Sequence, residues 1–150
     1  MTFRHIVAIA LLAGGFAGTA GLVHAQGTDI VAAREDGMKA TAKNAKAIKT
    51  ALDAGADLAP LTANAQEIAA WGHKIPSMFP PGSDTGKTEA LPAVWTHKAD
   101  FDKHAGDLSA AADKLAVALA ANDAGAAKAA FTATGQVCGA CHRSYREKKK

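Results

Sequence analysis

The sequence predicts an all-α chain folded as an antiparallel, up-down-up-down four-helix bundle. Three observations predict it. From about residue 29 onward, apolar residues recur at helical rather than alternating spacing. The composition is dense in Ala and Lys, holds a single Tyr, and lacks alternating β-branched runs, which makes most of the chain a helix former. Turn residues punctuate the segments, and two of the loops are short, which sets neighbouring helices antiparallel.

The first helix is expected from about Asp29 to Ala54, with Thr28 or Asp29 as its N-cap. Ile30, Val31, Met38, Ala45, Ile48 and Leu52 mark its buried face, and Gly55 ends it. The second is expected from Leu61 to Ile75, with Leu61, Ala65, Ile68 and Trp71 facing inward. A long connection, Pro76 to Leu91, follows, because no helix passes through Pro80-Pro81-Gly82-Ser83. Pro92 opens the third helix, which is expected to continue to about Ala121 on a stripe of Val94, Phe101, Leu108, Leu115 and Leu119. Asn122-Asp123 marks a turn and cap. The fourth helix runs on to about Lys148 and carries Phe131, Val137, Cys138, Cys141 and Tyr145.

The N-terminus reads as an export signal. Arg4 and His5 form a short positive start, Ile6 to Val23 is uncharged and apolar, and Val23-His24-Ala25 offers small residues where a signal peptidase reads. Residues 1–25 are therefore expected to be cleaved, leaving 26–150 as one domain without a stable membrane anchor, and the periplasm as its compartment. A membrane anchor is the competing reading, since the apolar run approaches spanning length. The Gly- and Ala-rich content and the small-residue exit favour cleavage. The formal net charge of +3 is modest, and no basic stretch is interleaved with aromatics, so no nucleic-acid partner is expected. The closing Arg146-Glu147-Lys148-Lys149-Lys150 reads as a solvated tail that suits the end of a helix dipole; docking of a redox partner is its other reading.

Chemistry concentrates in Cys138-Gly139-Ala140-Cys141-His142, which holds both cysteines of the chain. This is the pattern of covalent c-type haem attachment. Two thiols two residues apart can reach the two vinyl groups on one porphyrin edge, and the adjacent imidazole falls under the iron as an axial ligand. A thioredoxin-like couple would sit at a strand-to-helix turn, and nothing nearby reads as a strand. A structural zinc site would need a second pair of ligands. A disulfide across so short a loop is strained. The cofactor expected is one covalent haem c, near one end of the bundle. That end also receives the start of the first helix and the long connection. Of the remaining histidines, His73, His97 and His104 lack metal-site spacing and read as surface or partly exposed residues.

Beyond the pentapeptide, the chain resembles the cytochrome c prime family and its low-spin, methionine-ligated relatives. The resemblance rests on Arg34-x-x-x-Met38, Ile75-Pro76 with Phe79-Pro80, Gly82, Thr88-Glu89-Ala90-Leu91-Pro92-x-x-Trp95, Phe101 and Cys138-x-x-Cys141-His142-x-x-Tyr145-Arg146. It implies thioethers at Cys138 and Cys141, His142 as the proximal ligand, Arg34 beside a haem propionate, and Glu89 and Ala90 lining the haem edge. Arg34 paired along the helix surface is the competing reading of that residue. Phe79, Trp95 and Phe101 are expected to pack rather than react.

Met38 falls at the family's distal position, where function divides. As a thioether ligand it would make a six-coordinate electron carrier serving a redox partner protein. As a non-ligating side chain it would leave a five-coordinate site for nitric oxide or carbon monoxide. The expectation taken here is ligation, with Gly37 loosening the helix so that sulfur can approach iron. No distal His-Arg pair is placed to polarise a peroxide, so the chain does not read as an enzyme. The resemblance also implies a possible homodimer through the first two helices.

Overall fold

The structure, a computed structural model, describes residues 20–148, with residues 20–29 described by backbone alone. It contains α1 (Ala20–Ala54), α2 (Thr62–Lys74), the single-turn α3 (Ala93–Thr96), α4 (Lys98–Ala120) and α5 (Ala124–Tyr145). Single 3₁₀ turns, Ala59–Leu61 and Ile75–Met78, flank α2. The four long helices form the expected bundle. Among the described residues, no helix is long and apolar enough to cross a membrane.

Local chemistry explains most boundaries. Gly55 takes φ 62°, which L side chains resist, and ends α1 with Ala56 N–H donating to Ala51 O at 3.1 Å. At the same end of the bundle Asn122, also left-handed at φ 51°, accepts from Leu58 N–H at 2.8 Å through its side chain. Asp123 then caps α5 by accepting from Ala126 N–H at 2.9 Å. Pro60 and Pro76 each occupy the opening of a 3₁₀ turn, where a missing N–H costs nothing.

Four expectations are corrected. First, α1 begins at Ala20, so neither Thr28 nor Asp29 is its N-cap in this chain; the alanines and leucine around residues 20–25 are good helix formers and carry the helix upstream. The expected leader otherwise falls on residues 1–19, outside the described residues.

Second, α2 spans Thr62–Lys74, just inside the expected Leu61 to Ile75, and the long connection opens with an ordered turn.

Third, the third helix is two pieces. His97 leaves helical geometry at φ −121°, ψ 43°, while its carbonyl accepts from Asp100 and Phe101 N–H and restarts the helix. Thr96 Oγ1 reaches Pro92 O and His97 Nδ1, so side-chain groups compete with the helical ladder there.

Fourth, α5 stops at Tyr145. Leu91 N–H donates to Tyr145 O at 3.0 Å and Glu147 N–H to Glu89 O at 2.8 Å, which pulls Arg146 into an antiparallel bridge with Ala90.

The core is continuous from Ile48 and Leu52 in α1, through Ala65, Ile68 and Trp71 in α2, to Leu108, Leu115 and Leu119 in α4. Helices α2 and α4 approach closely at Gly72. A Cβ there would stand 2.4 Å from Ser109 Oγ and 2.9 Å from Ser109 N. Ser109 Oγ already donates to Ala69 O at 3.0 Å, so it cannot simply turn aside.

Helix propensity alone favours alanine over glycine by about 1 kcal/mol, but overpacking of this kind costs about 1–3 kcal/mol. Gly72→Ala is therefore expected to lower stability, read as an earlier midpoint in urea unfolding with an unchanged slope.

Candidate haem site

Cys138, Cys141 and His142 lie in the last turns of α5, half-buried, with both cysteine side chains packed against the core. The two thiols are free of any disulfide. They sit inside a helix, not at a strand-to-helix turn, which removes the thioredoxin setting. Burial pushes the Cys138 thiol up, and burial together with Cys138 and Asp100 pushes Cys141 up to about 11. Both are thus neutral thiols at pH 7, unlike the low-pKa thiolate of a redox couple. Among the described residues, no three His, Cys, Asp or Glu gather to hold a metal ion.

His142 is held below the ordinary histidine value by burial and by the nearby Arg146, with Glu89 opposing. A neutral imidazole results, the form that can donate to a metal. Glu89 and Ala90 arrive beside it through the bridge to Arg146, so the structure brings these two loop positions to the end of α5.

Arg34 is neither exposed nor paired along α1. It is 4 % exposed, and its guanidinium is spent on the long connection. Nε donates to Met78 O at 2.6 Å and Nη1 to Ser83 O at 2.9 Å, while Nη2 donates to Ser83 Oγ. The same guanidinium lies 4.1 Å over the Phe79 ring and 5.7 Å from that of Trp95. Burial lowers its pKa and Asp84 works against that, yet an arginine stays charged at such a site. The surface ion-pair reading of Arg34 is overturned, because its donors are matched to a fold of the loop.

Met38 lies one turn further along α1, half-buried against the core. Helix α1 runs unbroken through Gly37 and Met38. The missing side chain at Gly37 is instead filled by Trp71: a Cβ would stand 2.2 Å from its indole ring. Gly37 thus serves close packing, not loosening of the helix. The buried Trp71 Nε1–H finds no hydrogen-bond partner among the described residues.

The fit to a haem follows from these observations. Helix α5 buries few apolar groups fully; Phe131, Val137, Cys138 and Cys141 stay half-buried, as do Ile30 and Met38 on α1. A half-covered apolar seam, a pair of neutral thiols, a neutral imidazole and an orphaned indole N–H suit a flat, largely apolar group with a metal at its centre. Cys138, Cys141 and His142 are the residues that could hold it.

A cluster that sequence reading missed stands behind the motif. Tyr145 O–H donates to Asp100 Oδ2 at 2.6 Å, and His104 Nε2 lies 3.6 Å from the same oxygen. Phe101 packs edge-on to Tyr145 at 5.2 Å and to Phe79 at 4.9 Å. The i, i+4 spacing of Asp100 and His104 was visible in the sequence, but their partner 45 residues away was not.

Two outcomes are expected. Arg34→Met leaves the Met78 and Ser83 carbonyls without their donor and should cost about 2–3 kcal/mol, read in urea unfolding together with faster proteolytic nicking of the connection. Tyr145, the chain's one tyrosine, is pushed up to about 12 by its hydrogen bond to Asp100 and by burial. The folded state therefore binds the phenolic proton more tightly than the unfolded chain. That contribution to stability is complete below pH 10 and is lost as pH rises towards 12; ultraviolet titration of the phenol should show Asp100→Asn titrating earlier.

Comparisons with known proteins converge on one group. A family profile described as cytochrome C' matches residues 29–146. Cytochrome c-556 of Agrobacterium tumefaciens strain II Chrys is 48% identical over 75 residues, covering 50% of this chain and 60% of that protein. The matched stretch thus spans about six-tenths of that relative's length. The crystal structure of cytochrome c' from Thermochromatium tepidum superposes with a TM-score of 0.77 at 32% identity, covering 81% of this chain and 97% of that one. A nitric oxide complex of a cytochrome c prime variant from Alcaligenes xylosoxidans gives 0.74 at 28%, covering 82% and 97%. Cytochromes of this family carry one covalently bound haem c. With the helical bundle, the C-terminal attachment motif and a match over most of its length, this chain belongs to the cytochrome c' family.

Proposed function

We propose that the protein is an exported, periplasmic monohaem cytochrome whose ferrous iron takes up nitric oxide or carbon monoxide on the α1 side. The leader-like residues 1–25 support export and cleavage. The bound haem supplies a reversible one-electron couple and an axial position for a small neutral gas.

The chain's own residues do the rest. Cys138 and Cys141 would hold the haem through thioethers, and His142 would donate its neutral imidazole. Arg34 fixes the long connection that carries Glu89 and Ala90 to the haem edge, and its positive charge lies within the structure that a propionate would meet. Met38 closes the distal side.

The observation that carries this reading is the regularity of α1. The helix stays intact across Gly37 and Met38, and the indole of Trp71 fills the space beside Gly37. Nothing there loosens the backbone to bring sulfur towards iron. No histidine occurs in α1 from residue 30 onward, and Glu35 and Asp36 are exposed. The stretch of α1 around Met38 thus offers no imidazole as a competing sixth ligand, and small neutral gases need none to bind ferrous iron. The likeness to a nitric oxide complex of a cytochrome c prime variant supports the same reading.

A second reading rests on Met38 itself. Met38 is half-buried against the core, and ligation by its thioether would make a six-coordinate electron carrier for a redox partner protein. A homodimer through α1 and α2 is compatible with both readings.

Absorption spectra of the oxidised and reduced holoprotein, with and without carbon monoxide, separate the two. Broad high-spin bands that shift with carbon monoxide, and that persist in Met38→Leu, are expected. Sharp, split reduced bands indifferent to the gas, lost in Met38→Leu, would assign Met38 as the sixth ligand.

A further inference from the structure

The chain has two tryptophans, and the fold treats their N–H groups differently. Trp95 Nε1–H donates to Pro80 O at 2.9 Å, so its hydrogen bond is used within the long connection. Trp71 Nε1–H is buried with no acceptor. Among the described residues it is the one buried side-chain polar atom left in that state. Trp71 is 9 % exposed and belongs to the apolar core cluster. An indole N–H can only donate, and burying it unmet is costly. In a native fold such an orphan points to a ligand, an ion or a water that completes it.

The seating of the ring says where that acceptor must come. Its six-membered half rests on α1 at Gly37, with Cζ2 2.5 Å from the position a Cβ would take. Cζ2 is bonded to the ring carbon that carries Nε1. The N–H edge therefore lies beside Gly37, on the same turn of α1 as Met38. Nearby polar groups are already engaged. Arg34 has only donors, and they go to the long connection. Asn44 is tied to Glu67 at 2.7 Å and to Asn64 at 3.0 Å. The α1 backbone runs on as unbroken helix, and the Met38 sulfur is a weak acceptor at best. A buried water needs about 2–4 polar partners, which an apolar core does not offer. A guest on the α1 side remains.

We propose that Trp71 is a ligand-binding residue of the distal side, its indole N–H donating to the outer atom of a diatomic gas held by ferrous iron. This rests on the gas-binding reading of the haem site. Ferrous iron pushes electron density onto the outer atom of carbon monoxide or nitric oxide. A donor placed there favours the bound gas over the free one. The donor is also preset, because the close packing on Gly37 fixes the ring before any gas arrives. Gly37 and Trp71 act together: the glycine admits the ring to α1, and the ring carries its N–H to the turn of Met38. The hydrogen bond slows escape of the gas, so its loss should speed dissociation about 2- to 10-fold.

The test is infrared spectroscopy of the reduced holoprotein with carbon monoxide, in water and after full exchange into deuterium oxide. A donor at the outer oxygen lowers the carbon–oxygen stretch, and deuterium on that donor shifts it. The expected result is a deuterium-sensitive stretch in the wild type. It should rise and lose that sensitivity in Trp71→Phe, with faster loss of carbon monoxide, and stay in place in Trp95→Phe. Should Trp71→Phe fail to hold haem, the deuterium shift of the wild type decides alone. A stretch indifferent to deuterium, or a deuterium shift that survives in Trp71→Phe, overturns the role of Trp71 and leaves the gas-binding reading standing. A holoprotein that takes up no carbon monoxide overturns both.

Discussion

One buried cation organises the functional end of the molecule. Arg34 projects from α1 into the long connection and gives its donors to Met78 and Ser83, while its flat face lies on Phe79. Burying a guanidinium is costly unless its donors are matched. The carbonyls of a loop rich in proline, which cannot pair in a helix or sheet, provide that match. The same bonds satisfy backbone groups that the loop could not satisfy alone. They join the Leu91–Tyr145 and Glu147–Glu89 backbone bonds in holding residues 76–91 over the end of the bundle, where Ala90 meets Arg146. The loop is thus pinned at both ends, by Arg34 near its start and by the last turn of α5 near its close.

Much of this was legible in the sequence. The stripe Val94, Phe101, Leu108, Leu115, Leu119 is wholly buried as its spacing required. Gly55 and Asn122-Asp123 end and begin helices by local rules that need no partner. The attachment motif stood out because its chemistry is confined to five neighbouring residues. What escaped reading depends on partners far along the chain. Arg34 finds loop carbonyls 44 and 49 residues away, and Tyr145 finds Asp100 at 45. No periodicity encodes such meetings. The break at His97 escaped for a different reason. Thr96 and His97 have ordinary helical propensities, and only their side-chain competition for the ladder, seen in three dimensions, interrupts it. Gly37 was misjudged in the same way: its value lies in what rests on it, the indole of Trp71.

The uneven coverage of α5 links fold to function. Its inward side chains are mostly alanine or half-buried, so the helix gains less from the protein core than α2 or α4 does. A flat apolar group in that seam would contribute burial that the chain itself withholds. Ligand and core are then parts of one packing problem.

The close approach at Gly72 and Ser109 carries a mechanical consequence. Helices α2 and α4 are locked with no room for sliding, while α1 and α5 face each other across half-covered side chains. The bundle is therefore stiff along one edge and compliant along the other. Helix α1 is fixed at two points, the Arg34 clamp at one end and the Gly55 turn at the other. Between them Trp71 rests on Gly37 while Ile48 and Leu52 sit in the core, so α1 is held on its α2 side and left half-covered on its α5 side.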